Sequence, residues 1–190
     1  SVILVEDCAH TMGATWNGVK SGRHGHAACY STQTYKHMNS GEGGLIVSDD
    51  ADLMARATVL SGSYMLYGRH LAGPPDEVFA RVRLETPNCS GRMDDLRAAI
   101  LRPQLATLEE NCRRWNERYE AVARELAQAA GLRLPHRSAA EGFVASSIQF
   151  NLPAFDAAQI EEFLARARER GVELKWFGAP EPAGYTSRHS

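Results

Sequence analysis

Three observations predict an α/β fold for this chain. Short apolar runs stop at acidic or polar residues, a lysine sits on a Gly-rich loop between two such runs, and a long stretch of helical periodicity precedes a shorter mixed segment. Residues 1–102 read as part of a large α/β domain, and residues 103–190 as an interdomain helix with a small α+β domain.

The first run, residues 2–6, is apolar and β-branched and ends at Asp7, which reads as a buried parallel strand. In open α/β sheets ligands bind beyond the carboxyl ends of the strands, so an acid at this point is placed for chemistry. An acid there serves equally well to end a strand or cap a helix, and both readings stand. A Gly-rich loop runs through Gly25 to a second strand, 26–30, which stops at Ser31. Lys36 follows in the run Tyr30-Ser-Thr-Gln-Thr-Tyr-Lys-His-Met-Asn-Ser-Gly-Glu-Gly-Gly44. A strand near Leu45 to Val47 and a helix over about 51–60, capped by Asp49 or Asp50, come next. Residues 61–87 contain Gly-Ser-Tyr-Met-Leu-Tyr-Gly and Gly-Pro-Pro and read as a long irregular insertion, a lid or a dimer contact.

From Met93 the apolar positions Leu96, Ile100, Leu105, Leu108, Tyr119, Val122 and Leu126 recur at helical spacing. Pro103 is expected to kink this helix, and Gly131 to follow its end. Residues 147–152 alternate as a half-buried strand, Asp156 caps an amphipathic helix running to Arg170, and Val172 to Trp176 reads as another strand.

Composition constrains function by exclusion. With 190 residues, 44% hydrophobic, 23% charged and a net charge of −2, the chain has no basic stripe for nucleic acid. Its arginines at 113, 114, 118 and 124 alternate with glutamates along one helix, as in a solvated face. No apolar stretch is long enough to span or anchor in a membrane. Cys8, Cys29, Cys89 and Cys112 are widely spaced, without a Cys-x-x-Cys pair, which points to free thiols in a reducing cytoplasm. His24 and His26 alternate on a strand but lack a third ligand at metal spacing, so no metal is expected.

A lysine on a loop is ordinarily a solvated surface group. Here the neighbours change that reading. A lysine, an acid and a hydroxyl delivered by two strand ends form a site for pyridoxal phosphate: Lys36 for the Schiff base, Asp7 for the pyridinium nitrogen, Ser31 for the phosphate.

The run Val5-Glu-Asp-Cys-Ala-His-Thr-Met-Gly-Ala14, the glycines at 18, 22 and 25, Ser31 through Lys36, and Asn39-Ser-Gly-Glu-Gly-Gly-Leu-Ile-Val-Ser-Asp-Asp50 together resemble the DegT-type family of pyridoxal phosphate-dependent sugar aminotransferases. The likeness continues at Arg92 to Ile100 and at Gln104-Leu105. It implies fold type I, with residues 1–102 forming the later part of the large domain. It implies that Lys36 holds the cofactor and moves the proton, that Asp7 keeps the ring nitrogen charged, that His10 lies near the phenolic oxygen, and that Ser31 binds phosphate. Asn88 matches, with two extra residues before Arg92, a position that approaches the phosphate of a neighbouring subunit; that match implies a homodimer with shared sites, and a turn asparagine after Pro87 is the other reading. A dehydratase branch has His at the Schiff-base position; Lys36 favours amino transfer.

By that resemblance the donor is an amino acid, glutamate, and the acceptor a keto or aldehyde sugar serving polysaccharide or sugar biosynthesis. That sugar is either nucleotide-linked or an octulosonate-type acid; the ending at 176–188 differs from the commonest nucleotide-sugar pattern and keeps the second class open. The alternative is a cofactor-binding regulatory or sensory protein of the same fold without turnover. A start inside a strand and an end without a terminating element read as a fragment lacking the N-terminal part, inactive by itself.

Overall fold

Two neighbouring strand ends present the chemistry-bearing residues. In the computed structural model, which describes residues 2–63, 65 and 67–180, strand β1 (Val5–Asp7) pairs in parallel with β4 (Ala27–Ser31), Asp7 opposite Cys29. β4 in turn pairs antiparallel with β5 (Gly44–Val47), giving the order β1-β4-β5. Strand β1 is shorter than the apolar run because pairing with β4, and not apolarity, sets its limits. The β4–β5 connection carries Lys36, so the lysine leaves the sheet at the same end as Asp7.

Parallel strands need a crossover of a dozen or more residues. Here it contains a hairpin, β2 (Thr15–Trp16) and β3 (Val19–Lys20), in place of a plain Gly-rich loop. Asn17-Gly18 supplies the two left-handed residues, φ 49° and 78°, that a two-residue turn between twisted strands demands. Strand β6 (Glu141–Gly142) joins the far side of β2 and completes a second sheet, β3-β2-β6.

Helix α1 (Ala51–Ser61) begins where the sequence places it, with the Asp50 carboxylate accepting from Leu53 N. The stretch 61–87 is not irregular throughout. It forms a 3-10 turn at Tyr67–Arg69 and helix α2 (Asp76–Val82), which starts with Asp76 and Glu77 in its first turn. Val78, Phe79 and Val82 bury against Ala55 and Val59 of α1, and Tyr67 stacks on Phe79 at 4.3 Å. That small apolar cluster supplies what the glycines and prolines obscured. Positions 64 and 66 of the insertion lie outside the described residues.

Helix α3 (Asp95–Leu126) contains Pro103. Its buried Leu101 packs with Met12 and Met38, flanked by Tyr30, Met93 and Leu108. This second cluster joins the segment after β1, the lysine loop and α3, so the loop rests on packed side chains.

The chain divides into two compact units. Ser1–Val122 with His136–Ile148 form the first, and Ala123–Pro135 with Gln149–Ser190 the second. In the second, Asp156 caps helix α4 (Ala157–Glu169) and Gln159 returns the bond, a capping box. Phe150 meets Phe163 edge to face. Residues 147–152 contribute one bridge, Asn151 to Arg133, where the alternating pattern predicts a strand, and 172–176 form none among the described residues. Alternation identifies a half-buried face, but a ladder also needs a neighbouring strand. Residues 181–188 of the ending lie outside the described residues.

Candidate functional site

Lys36 sits on a loop that is braced across its base. Thr32 N donates to Gly43 O at 2.9 Å, Ser40 N to Thr32 O at 2.9 Å, Thr34 N to Gly41 O at 2.9 Å, and Lys36 N closes a turn on Gln33 O at 2.9 Å. Thr32 is fully buried, its hydroxyl 3.2 Å from that of Ser40. Gly43, at φ 139°, is required here: a Cβ would lie 2.8 Å from Thr32 Oγ1 and 3.0 Å from Met93 Cε.

Lys36 Nζ lies 2.7 Å from His10 Nε2. Such a contact requires one of the two nitrogens to offer a lone pair, so the pair is not two full cations pressed together. Asp7, three residues before His10, is exposed at the end of β1, and its Oδ1 accepts from Ala9 N at 3.0 Å. Ser31, at the end of the adjacent β4, is partly buried, with its hydroxyl accepting from Gln33 N at 3.3 Å. The structure thus brings Lys36 and His10 into contact and sets Asp7 and Ser31 at the carboxyl ends of paired parallel strands.

Asn88 is placed differently. It is exposed, and its Oδ1 accepts from Ser90 N at 2.9 Å, forming a turn that holds Ser90 at φ 53°. Arg92 Nη1 donates to Ser90 Oγ at 3.2 Å. Ser90, Arg92, Met93, Asp94 and Asp95 line an open depression of about 440 Å³ whose lining includes none of Asp7, His10, Ser31 or Lys36.

Several neighbours of the lysine were not marked by the sequence as site residues. His37 Nδ1 lies 2.9 Å from Met12 O and Nε2 3.0 Å from Ser146 Oγ, with the ring 5.1 Å from that of Trp115. Burial pushes the His37 imidazole below its usual range; the hydrogen bond to Met12 opposes this, and the positive charge carried by the His10–Lys36 pair reinforces it. Glu6 accepts from Gly22 N at 2.8 Å, His24 N at 2.8 Å and Gly25 N at 2.6 Å. Desolvation pushes its carboxyl up, but the amide bonds from Gly22, Gly25 and His24 outweigh that and leave it below the usual carboxylate range. Only the position of Glu6 beside Asp7 and the glycines at 22 and 25 hinted at this role.

Cys8 and Cys112 are buried free thiols, while Cys29 in β4 and Cys89 are exposed. Among the described residues no group of three His, Cys, Asp or Glu is disposed to hold a metal, and no helix is long and apolar enough to cross a membrane.

The donor set fits pyridoxal phosphate. It comprises an amine on a braced loop, an imidazole in contact with it, and a carboxylate and a hydroxyl at adjacent strand ends.

Comparison with known proteins bears on the family and the fold. The L-glutamine:2-deoxy-scyllo-inosose aminotransferase of Streptomyces fradiae is 39% identical over 113 residues, 58% of this chain and 26% of that protein. The L-glutamine:scyllo-inosose aminotransferase of Streptomyces griseus is 38% identical over 115 residues, with the same shares of 58% and 26%. The chain therefore spans about a quarter of the length of these curated relatives, 26%. Among solved structures, AtS13 from Actinomadura melliaura superposes with a TM-score of 0.73 at 25% identity, over 97% of this chain and 46% of that one. The aminotransferase TlmJ from Streptoalloteichus hindustanus gives 0.71 at 25% identity, over 93% and 44%. The α/β, fold type I architecture expected from the sequence is the one these structures share. With residues 1–183 matching its pattern, the chain belongs to the DegT/DnrJ/EryC1/StrS aminotransferase family.

Proposed function

We propose that this chain is the lysine-bearing part of a pyridoxal phosphate-dependent aminotransferase that moves an amino group from an amino acid to a keto carbon on a hydroxylated ring. The observation that carries the reading is the 2.7 Å contact of Lys36 Nζ with His10 Nε2 beside the strand end that holds Asp7. The bound cofactor supplies an electron sink and an aldehyde for the amine. In this reading Lys36 makes the covalent attachment and moves the proton, while His10 orients the amine. Asp7 holds a proton on the ring nitrogen, and Ser31 binds phosphate. Residues 1–102 bind the cofactor, and residues 103–190 supply the greater part of α3, as the interdomain helix, and the small domain.

The donor in the family pattern is glutamate. The two relatives named for L-glutamine and a keto cyclitol make glutamine and 2-deoxy-scyllo-inosose the first pair to test. Relatives named for nucleotide-linked sugars, such as the GDP-perosamine synthase of Caulobacter vibrioides, define the competing acceptor class. Asn88 is exposed and closes the turn at Ser90 through Oδ1, and its amide nitrogen is the group that would reach the phosphate of a second subunit in a homodimer. Free cysteines support a cytoplasmic location.

The test is borohydride reduction of the cofactor-loaded full-length protein, peptide mapping, and mass-spectrometric detection of the aminated ring. Label on Lys36 with glutamine-dependent amination supports the reading. Label without transfer to any acceptor favours a binding or regulatory role, and label elsewhere overturns the site.

A further inference from the structure

Lys36 and His37 dock side by side onto the segment that follows β1. Lys36 reaches His10, and His37 reaches the carbonyl of Met12, two residues further on. A carbonyl only accepts, so Nδ1 carries the hydrogen of the 2.9 Å bond to Met12. In the neutral ring Nε2 is then the acceptor for the Ser146 hydroxyl at 3.0 Å.

Both anchors are themselves held. Met12 and Met38, the residue after His37, are buried together against Leu101. Ser146 follows a segment clipped by Asn116, whose Nδ2 donates to Phe143 O and whose Oδ1 accepts from Ala145 N, each at 2.8 Å. Trp115 covers the imidazole. A lysine side chain has many rotamers, and its reach is useful only if its Cα is fixed relative to its target.

We infer that His37 is the positioning residue of Lys36: its Nδ1–H bond to the Met12 carbonyl fixes the lysine backbone against the segment that follows Asp7 and carries His10. The inference rests on the reading of Lys36 as the cofactor-binding amine. His37 touches no reacting atom and exchanges no proton in this role. Burial, reinforced by the positive charge of the Lys36–His10 pair, favours the neutral ring that makes both bonds.

The two bonds of His37 are separable by substitution. An asparagine amide occupies the place of Nδ1, and a glutamine amide that of Nε2. His37→Asn therefore keeps the Met12 bond and loses Ser146, and His37→Gln does the reverse. The experiment compares native protein, His37→Ala, His37→Asn, His37→Gln and Ser146→Ala by two readouts. These are amide hydrogen exchange of Lys36 and Met38 without cofactor, and the rate at which borohydride traps pyridoxal phosphate on Lys36.

We expect His37→Ala and His37→Gln to exchange and trap about tenfold faster and slower, respectively, than native, as loss of one ordering hydrogen bond implies. His37→Asn and Ser146→Ala should stay within about threefold of native on both readouts. Equal behaviour of the Asn and Gln variants, or native exchange in His37→Ala, overturns the inference. If native protein carries no label on Lys36, the proposed function fails, and the exchange data alone judge the role of His37. If His37→Ala does not fold, the Asn and Gln pair decides.

Discussion

The side chain of Gln104 satisfies both backbone groups of Asn39: its Oε1 accepts from Asn39 N at 2.9 Å and its Nε2 donates to Asn39 O at 2.8 Å. The same Nε2 lies 2.9 Å from Ile100 O, within α3. Gln104 therefore acts as a one-residue strand partner, tying the lysine loop to the helix one residue after the buried Met38. Asn116 repeats the device further along α3 with Phe143 and Ala145.

Gln104→Glu keeps an acceptor for Asn39 N but leaves Asn39 O without its donor and opposes it with a charge. We expect the folded state to lose about 1–2 kcal/mol, read by chemical denaturation, and the Asn39 amide to exchange faster. Unchanged exchange at Asn39 would show that the loop is held by packing alone.

Glu6 makes stability depend on pH. Its folded carboxyl lies below the usual range, so its contribution is complete above the unfolded value, about 4.3, and is lost as pH falls through the folded value. Glu6→Gln replaces one acceptor oxygen with a donor facing Gly22, His24 or Gly25. It should cost about 2 kcal/mol at pH 7 and flatten the acid limb of the stability curve. A variant with the native pH dependence refutes this.

The Asn17-Gly18 turn holds both residues at positive φ. Gly18→Val should destabilise the hairpin by about 1–2 kcal/mol, through the left-handed backbone and not through a clash, because nothing lies within 4 Å of a Cβ there. Thermal denaturation measures it.

On the proposed chemistry, Lys36→Ala abolishes the reducible bond to cofactor. The other lysines are Lys20, paired with Glu109 at 2.8 Å, and the exposed Lys175. Peptide mapping that finds cofactor on either of them sinks the assignment.

Asp7→Asn should lower amino transfer about 100-fold while cofactor retention changes little, because a neutral amide no longer holds the ring proton. Turnover near native at saturating cofactor removes Asp7 from the mechanism.

The sequence alone determined what depends on neighbours close along the chain. The Asp50 and Asp156 caps close bonds three residues away, and the ends of the apolar runs set Asp7, Ser31 and Lys36 at one end of a sheet. The chemistry of those residues and their order sufficed to identify the family. The Asn17-Gly18 hairpin was also locally encoded, although glycines on either side masked it as a loop. Only the tertiary structure decided which groups meet: Lys36 with His10, His37 with Met12 and Ser146, Asn39 with Gln104, and Glu6 with the amides of Gly22, His24 and Gly25. These partners lie from 16 to 109 residues apart, and no periodicity or capping pattern carries information across such separations. Packing of Met12, Met38 and Leu101 brings the segment after β1, the lysine loop and α3 together, and the polar groups carried there then find their partners.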